Sequence, residues 1–65
     1  MDLGKSLEIA LVKKGVKKSE LAKEMNVAPQ QVSQWVKTKA IKQTSLMSIC
    51  EFLDMPVSEF IALGE

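Results

Sequence analysis

The sequence predicts an all-α protein built from five short helices, with no sheet. Apolar residues recur at three- and four-residue spacing along the chain, and no stretch alternates apolar and polar residues as a strand does. Residues that commonly end helices separate the apolar stripes at Gly15, Asn26, Pro56 and Gly64. With 65 residues, of which 46% are hydrophobic, the chain has the size and composition of a single compact domain over residues 1–65.

The first three helices are predicted at about residues 3–14, 18–25 and 29–37. Asn26 can adopt the left-handed conformation that closes the second helix. Pro29 suits the first turn of the third helix, where its missing N–H leaves no helical hydrogen bond unmade. The apolar stripes of these helices are, in chain order, Leu3, Leu7, Ala10 and Leu11; Leu21, Ala22 and Met25; and Val32, Trp35 and Val36.

Two more helices follow the polar loop TKAIKQ, in which Ile41 is expected to insert into the core. Thr44 or Ser45 is predicted to cap the fourth helix. The fifth helix is predicted to open at Val57 or Ser58. The apolar residues of these two helices are Leu46, Ile49, Cys50 and Leu53, and then Phe60, Ile61 and Leu63.

Charge is distributed unevenly along the chain, although the net charge is only +1. Residues 13–42 hold eight lysines and two glutamates, whereas residues 43–65 hold four acidic residues and no basic one. A basic segment between neutral and acidic ends indicates a face that meets a polyanion. The alternative for the same residues is a solvated lysine surface without a partner.

Composition also argues against several classes of function. The chain has no histidine, no tyrosine, one cysteine and no glycine-rich phosphate loop, so we expect no enzyme activity, no metal site and no cofactor. A single cysteine permits no internal disulfide and fits a reducing cytoplasm. No apolar run approaches the roughly 18 residues that span a membrane, and the N-terminus has no signal-peptide pattern. We therefore expect a complete cytoplasmic chain without membrane contact and without a small-molecule ligand.

Several conspicuous side chains are interpreted as structural. Trp35 follows Val32 by three residues, so it is expected to close the core rather than to stack on a base. Cys50 lies on the apolar stripe of the fourth helix and is expected to be a buried, inert thiol. The residues expected to fill gaps in the core are Met25, Met47 and Met55.

The segment SELAKEMNVAPQQVSQW, residues 19–35, resembles the helix-turn-helix of the lambda-repressor-like family, the Cro/CI-type phage and bacterial transcriptional regulators. The later segment LMSICEFLDMPVSEFIALGE is similar to the fourth and fifth helices of that family. The resemblance covers the chain from about Leu7 to Gly64. The positions that match the helix-turn-helix pattern are Glu20, Leu21, Ala22, Asn26, Val27, Val32 and Trp35.

This resemblance implies a five-helix DNA-binding domain with its helix-turn-helix at the second and third helices. The implied function is a sequence-specific regulator of transcription, a Cro-like or prophage-type repressor. It would bind double-stranded DNA as a homodimer that is weak off DNA, on an inverted-repeat operator, with its third helix in the major groove. The fold also serves proteins that do not bind DNA, so a protein-interaction module of antitoxin-like or scaffold type is the alternative.

By resemblance, the residues that face the DNA groove are Ala28, Pro29, Gln30 and Gln34. Gln31 lies to one side, where it reaches a base or a phosphate. A glutamine amide both donates and accepts, and its best match is the N6 and N7 edge of adenine. Gln30 and Gln34 are four residues apart and share one helix face. The alternative is a polar helix surface with no partner.

The resemblance also implies a set of phosphate contacts, which supply affinity and register without reading a base. Lys18 occupies the start of the second helix, where the family often has a phosphate-contacting residue. The backbone N–H groups of Gln43 and Thr44 are expected to hold a phosphate at the start of the fourth helix. The lysines that follow the third helix, where the DNA backbone passes, are Lys37, Lys39 and Lys42.

The sequence departs from the family pattern at several positions. It contains no arginine, the usual reader of guanine, which favours A·T contacts. Lys17 replaces the Ser or Thr that often caps the second helix, so that cap is expected to be weak. Val36 and Leu11 stand where the family often has an ion pair, and an apolar contact is expected instead. The usual glycine after the third helix is absent, so the loop over residues 37–42 is expected to take a different path.

The apolar end of the chain suggests a second surface. Three large apolar residues so close to the end are expected to cover the core in part and to leave a dimer patch exposed. The predicted patch consists of Phe60, Ile61 and Leu63.

Overall fold

The computed structural model describes residues 2–65. Within that range the chain forms five α-helices and no strand, which confirms the predicted fold class. The helices are α1 (Leu3–Lys14), α2 (Lys18–Met25), α3 (Pro29–Lys37), α4 (Gln43–Phe52) and α5 (Val57–Leu63). The first three coincide with the ranges predicted from the apolar stripes. None of the helices in the described range has the length and hydrophobicity to cross a membrane.

Local chemistry explains where α1 and α2 begin and end. The Asp2 side chain accepts a hydrogen bond from the Lys5 N–H at 3.0 Å and so caps the start of α1. Gly15 ends α1 with φ of 67°, and Asn26 ends α2 with φ of 55°, as expected for left-handed closing residues. Lys17, the residue before α2, supplies no side-chain cap, but its backbone N–H donates to Glu20 Oε1 at 3.3 Å, so the Glu20 carboxylate supports the start of the helix in place of a Ser or Thr cap.

The helices pack around one core to which all five contribute. α1 packs against α3 and α5, α2 packs against α3 and α4, and α4 packs against α5. Ile41 is buried, which confirms its predicted insertion from the loop before α4. The buried apolar residues are Leu3, Leu7, Ala10, Leu11, Leu21, Ala22, Val32, Trp35, Ile41, Leu46, Ile49, Cys50, Leu53, Met55 and Phe60.

The predicted cap of α4 is wrong. The helix begins at Gln43, and the residue before it, Lys42, accepts the first helical hydrogen bond from the Leu46 N–H at 2.8 Å. Thr44 and Ser45 therefore lie inside the first turn instead of capping it. Because Lys42 follows directly on buried Ile41, the chain turns into the helix as soon as it leaves the core.

Two expectations about apolar side chains also fail. Met47 is 56% exposed, so it fills no gap in the core. Phe60 is fully buried, so it forms no part of an exposed dimer patch. The reason is that α5 packs on both α1 and α4 and turns Phe60 inward. Ile61 and Leu63 are half-buried against the core, and they are what remains of the predicted patch.

Candidate nucleic-acid interface

A tight turn joins α2 to α3. Asn26 takes the left-handed conformation, and the Val27 N–H donates to the Ala22 carbonyl at 2.9 Å. Ala28 is then extended, with φ of −69° and ψ of 147°, and α3 begins at the next residue, Pro29. The two helices are therefore joined by three residues, 26–28, whose hydrogen bonds set the angle between α2 and α3.

The third helix has one buried face and one exposed face. Val32 is fully buried and Trp35 is 8% exposed, and both belong to the core. Gln30 and Gln34 are exposed and lie on the opposite side of α3. Gln31 is half-buried beside them. The helix thus presents its amides outward because its apolar residues fall on the side that packs on α1 and α2.

A shallow concave surface, called here the α3–α4 hollow, lies between α3 and the start of α4. Its lining residues are Val27, Ala28, Gln30, Gln31, Gln34, Trp35, Lys42 and Ser45. The hollow brings together four of the five residues predicted to contact bases. The fifth, Pro29, is exposed but does not line it. Lys42 adds a positive charge to a surface that otherwise consists of amides, a hydroxyl and apolar groups.

The lysines predicted to contact phosphate are all exposed, and they are Lys18, Lys37, Lys39 and Lys42. Of these four, Lys42 alone lines the α3–α4 hollow. Among residues 2–65, none of the four is paired with a carboxylate. The ion pair in that range joins Lys13 Nζ to Glu59 Oε1 at 3.6 Å, between α1 and α5. The candidate ammonium groups are therefore available to an external anion.

The first backbone N–H groups of α4 are unpaired and point away from the helix. Its first helical hydrogen bond comes from Leu46, so the N–H groups of Gln43, Thr44 and Ser45 have no acceptor within the helix. The residue before them, Lys42, has no side-chain acceptor that caps them. These donors and the positive end of the helix dipole suit an anion such as a phosphate oxygen.

Cys50 is not part of this surface. It is 3% exposed in the core, and desolvation by burial raises the pKa of its thiol above the ordinary value of 9.0. A thiol with a raised pKa is a poor nucleophile and a poor metal ligand. Within residues 2–65, no three side chains of His, Cys, Asp or Glu are placed to hold a metal ion.

Three residues of the hollow were not among the predicted contacts. Ser45 lines the hollow and lies in the first turn of α4, which begins two residues earlier at Gln43. The predicted cap at Thr44 or Ser45 had placed the start of the helix later. Buried Trp35 and half-buried Val27 also line the hollow. Their apolar pattern signals only the core, and no feature of the sequence distinguishes an exposed edge from a fully covered one.

One comparison with known proteins identifies the type of domain. A model of the Cro/C1-type helix-turn-helix DNA-binding domain matches residues 6–64 of the chain. The match includes α2, the connecting turn and α3, together with the whole of the α3–α4 hollow. No curated protein matches the chain.

Proposed function

The chain belongs to the Cro/C1-type helix-turn-helix DNA-binding family, and from this premise we propose that it is a sequence-specific repressor. In this proposal a homodimer binds an inverted-repeat operator, with one α3 in the major groove of each half-site. Occupancy of the operator excludes the polymerase from the promoter. Membership of the family supports a regulator that binds DNA.

The observation that carries the proposal is the composition of the α3–α4 hollow. Gln30, Gln31 and Gln34 meet there on one surface, which Lys42 also lines. Amides supply paired donors and acceptors for base edges, whereas an ammonium group supplies attraction to phosphate without sequence preference. A helix face that only met solvent would need neither a concave surface shared by α3 and α4 nor amides combined with an ammonium group.

The chemistry of the hollow favours A·T base pairs in the half-site. Glutamine makes its best two-bond contact with adenine, and the methyl group of Ala28 suits the methyl group of thymine. Arginine, the usual reader of guanine, is absent from the whole chain. We therefore expect adenines opposite Gln30 and Gln34.

Two copies of the domain are needed because one helix reads only a few base pairs. We expect half-sites about one helical turn apart, as for other helix-turn-helix dimers. Ile61 and Leu63 on α5 are half-buried, so they support a small contact between protomers. A small contact fits a dimer that forms mainly on DNA, because stable interfaces bury about 1,200 Å² or more.

The proposal is tested by selecting a random duplex library on the purified protein near physiological salt. An enriched inverted repeat with adenines in each half-site would support the proposal and would measure the half-site spacing. A variant with both Gln30→Ala and Gln34→Ala, checked for native helicity, serves as the matched control, and we expect it to lose the enrichment.

A different outcome would favour the other class of function. Binding without enrichment, which merely weakens as salt rises, would leave only a non-specific polyanion surface. That result would favour the hypothesis of a protein-interaction module. Val12, which is 80% exposed on α1, and Met47 on α4 would be the first apolar contacts to examine.

A further inference from the structure

The amino end of α1 is bound to the chain that leaves α3. The Leu3 N–H donates to the Lys39 carbonyl at 3.2 Å, and the Gly4 N–H donates to the Thr38 carbonyl at 3.0 Å. First-turn N–H groups have no acceptor within their own helix. Here they find acceptors in the loop after α3. The carbonyls of a segment more than thirty residues away in sequence therefore satisfy the free N–H groups at the start of α1, and these hydrogen bonds hold that segment against α1.

This contact requires glycine at position 4. A Cβ atom on Gly4 would lie 2.6 Å from the Trp35 carbonyl oxygen and 2.8 Å from that of Val36, and closer still to that of Thr38. All three obstacles are backbone atoms, which cannot move aside as a side chain can. The positive end of the α1 dipole thus meets the negative end of α3 so closely that position 4 has no room for a side chain.

The segment held in this way carries two of the candidate phosphate ligands. Lys37 is the last residue of α3, and Lys39 follows in the loop. The loop has a second support, because the Thr38 Oγ1 accepts a hydrogen bond from the Ala40 N–H at 3.3 Å. Beyond it, buried Ile41 fixes the far end. The loop leaves α3 in an extended conformation at Thr38, with φ of −98°, so no glycine is needed there.

We infer that Gly4 and Thr38 are positioning residues for DNA binding, which hold the loop so that Lys37 and Lys39 reach the phosphate backbone. The inference rests on the proposed function. The physical reason is preorganisation: a loop that is already ordered loses little conformational entropy when its lysines bind phosphate. A disordered loop would carry the same charges, but its lysines would contribute less binding free energy because the loop would have to become ordered on binding.

The test measures the dissociation constant for a fluorescent mixed-sequence duplex over about 50 to about 200 mM salt, since phosphate contacts are independent of sequence. Four backgrounds are compared, each with and without Lys39→Gln: wild type, Gly4→Ala, Thr38→Val and Gly15→Ala. Gly15 is the matched control. Its φ of 67° makes alanine strained there, yet a Cβ would touch nothing within 4 Å, so the loss of stability occurs without contact with α3.

In wild type and in Gly15→Ala, we expect Lys39→Gln to lower the slope of log affinity against log salt by about 0.9, the value for one phosphate contact. In Gly4→Ala and Thr38→Val, the slope is already lower, and Lys39→Gln lowers it by less than half as much. Circular dichroism confirms that each variant is folded under the assay conditions. If Gly4→Ala does not fold, Thr38→Val decides, because valine has the shape of threonine and loses only the hydroxyl acceptor.

An equal effect of Lys39→Gln in all four backgrounds would overturn the inference and would leave DNA binding itself intact. Absence of any effect of Lys39→Gln in wild type would overturn it as well. Failure of the wild-type protein to bind any duplex would instead remove the proposed function, and the inference with it. The two failures are therefore distinguishable in a single set of titrations.

Discussion

The hydroxyl of Ser6 donates a hydrogen bond to the carbonyl of Ile61 at 3.3 Å and so joins the first helix to the last. Ser6 is fully buried, the one buried polar side chain among residues 2–65. Gly64 approaches it so closely that a Cβ there would lie 3.1 Å from the Ser6 backbone nitrogen and nearer still to the hydroxyl oxygen. The Ser6 hydroxyl thus joins α5 to α1 in addition to the exposed Lys13–Glu59 ion pair between the same two helices.

Replacing Ser6 with alanine should destabilise the protein by about 1 kcal/mol, because it removes the part-buried hydrogen bond from the Ser6 hydroxyl to the Ile61 carbonyl. Urea unfolding of Ser6→Ala against wild type measures the change. Ser58→Ala, at an exposed serine on α5, is the control and should stay within about 0.5 kcal/mol of wild type. Equal stabilities for all three proteins would show that the contact contributes nothing to the fold.

Replacing Phe60 with alanine should cost about 3 to 5 kcal/mol of unfolding free energy, because it empties a fully buried aromatic site. For a domain of this size that is a large part of the total stability. Chemical denaturation followed by Trp35 fluorescence measures the loss. If Phe60 lay in an exposed dimer patch instead, Phe60→Ala would keep its stability and change only the sedimentation behaviour.

Replacing Gln34 with alanine should weaken binding to the selected operator by about 1 to 3 kcal/mol and relax the preference at one base position. The slope of affinity against salt should not change, because no phosphate contact is lost. Competition titrations with operators mutated one position at a time provide the measurement. A uniform loss across all sequences would assign Gln34 to the phosphate backbone.

Replacing Lys42 with glutamine should lower the salt slope by about 0.9 and weaken binding to all sequences alike. The reason is its place in the lining of the α3–α4 hollow, beside the free N–H groups of α4. Lys23→Gln is the matched control, since Lys23 is an equally exposed lysine on α2 that does not line the hollow. Identical slopes for the two variants would remove Lys42 from the contact surface.

The stability of the protein should fall at alkaline pH in a way that depends on Cys50. Burial raises the pKa of the Cys50 thiol in the folded protein above its ordinary value of 9.0. The unfolded thiol therefore ionises first, so the stability is fully present below about pH 9 and is lost as pH rises through the folded pKa. Unfolding of wild type and Cys50→Ala between neutral and alkaline pH measures the difference. Both proteins contain the same lysines, so a difference between them reports on Cys50. Parallel curves of unfolding free energy against pH would contradict the prediction.

Much of the fold follows from local chemistry that a sequence displays directly. Gly15 and Asn26 end their helices in the left-handed conformation, and Pro29 begins α3. The apolar stripe of α3 turns Gln30 and Gln34 to the opposite side of the helix. These features depend on spacing within one helix or turn, so the bounds of α1, α2 and α3 and the exposed amides were predictable without any tertiary contact.

Other features depend on which helices meet, and the sequence by itself left them undetermined. Phe60 has the same apolar character as Ile61, and only the packing of α5 on α1 and α4 decides that Phe60 is fully buried. In the sequence, Gly4 is a glycine within an ordinary helical stretch. Only the structure shows that the end of α3 lies against it.

The sequence therefore determined the helices, the turn between α2 and α3 and the residues offered to a partner, because those are set by conformational preference and by periodicity within short segments. Tertiary structure alone decided that Lys42 and Ser45 line the same hollow as the glutamines. It also decided that the start of α1 holds the loop after α3. Contacts of this kind join residues distant in the chain, and their geometry depends on how closely whole helices approach, which no local pattern records.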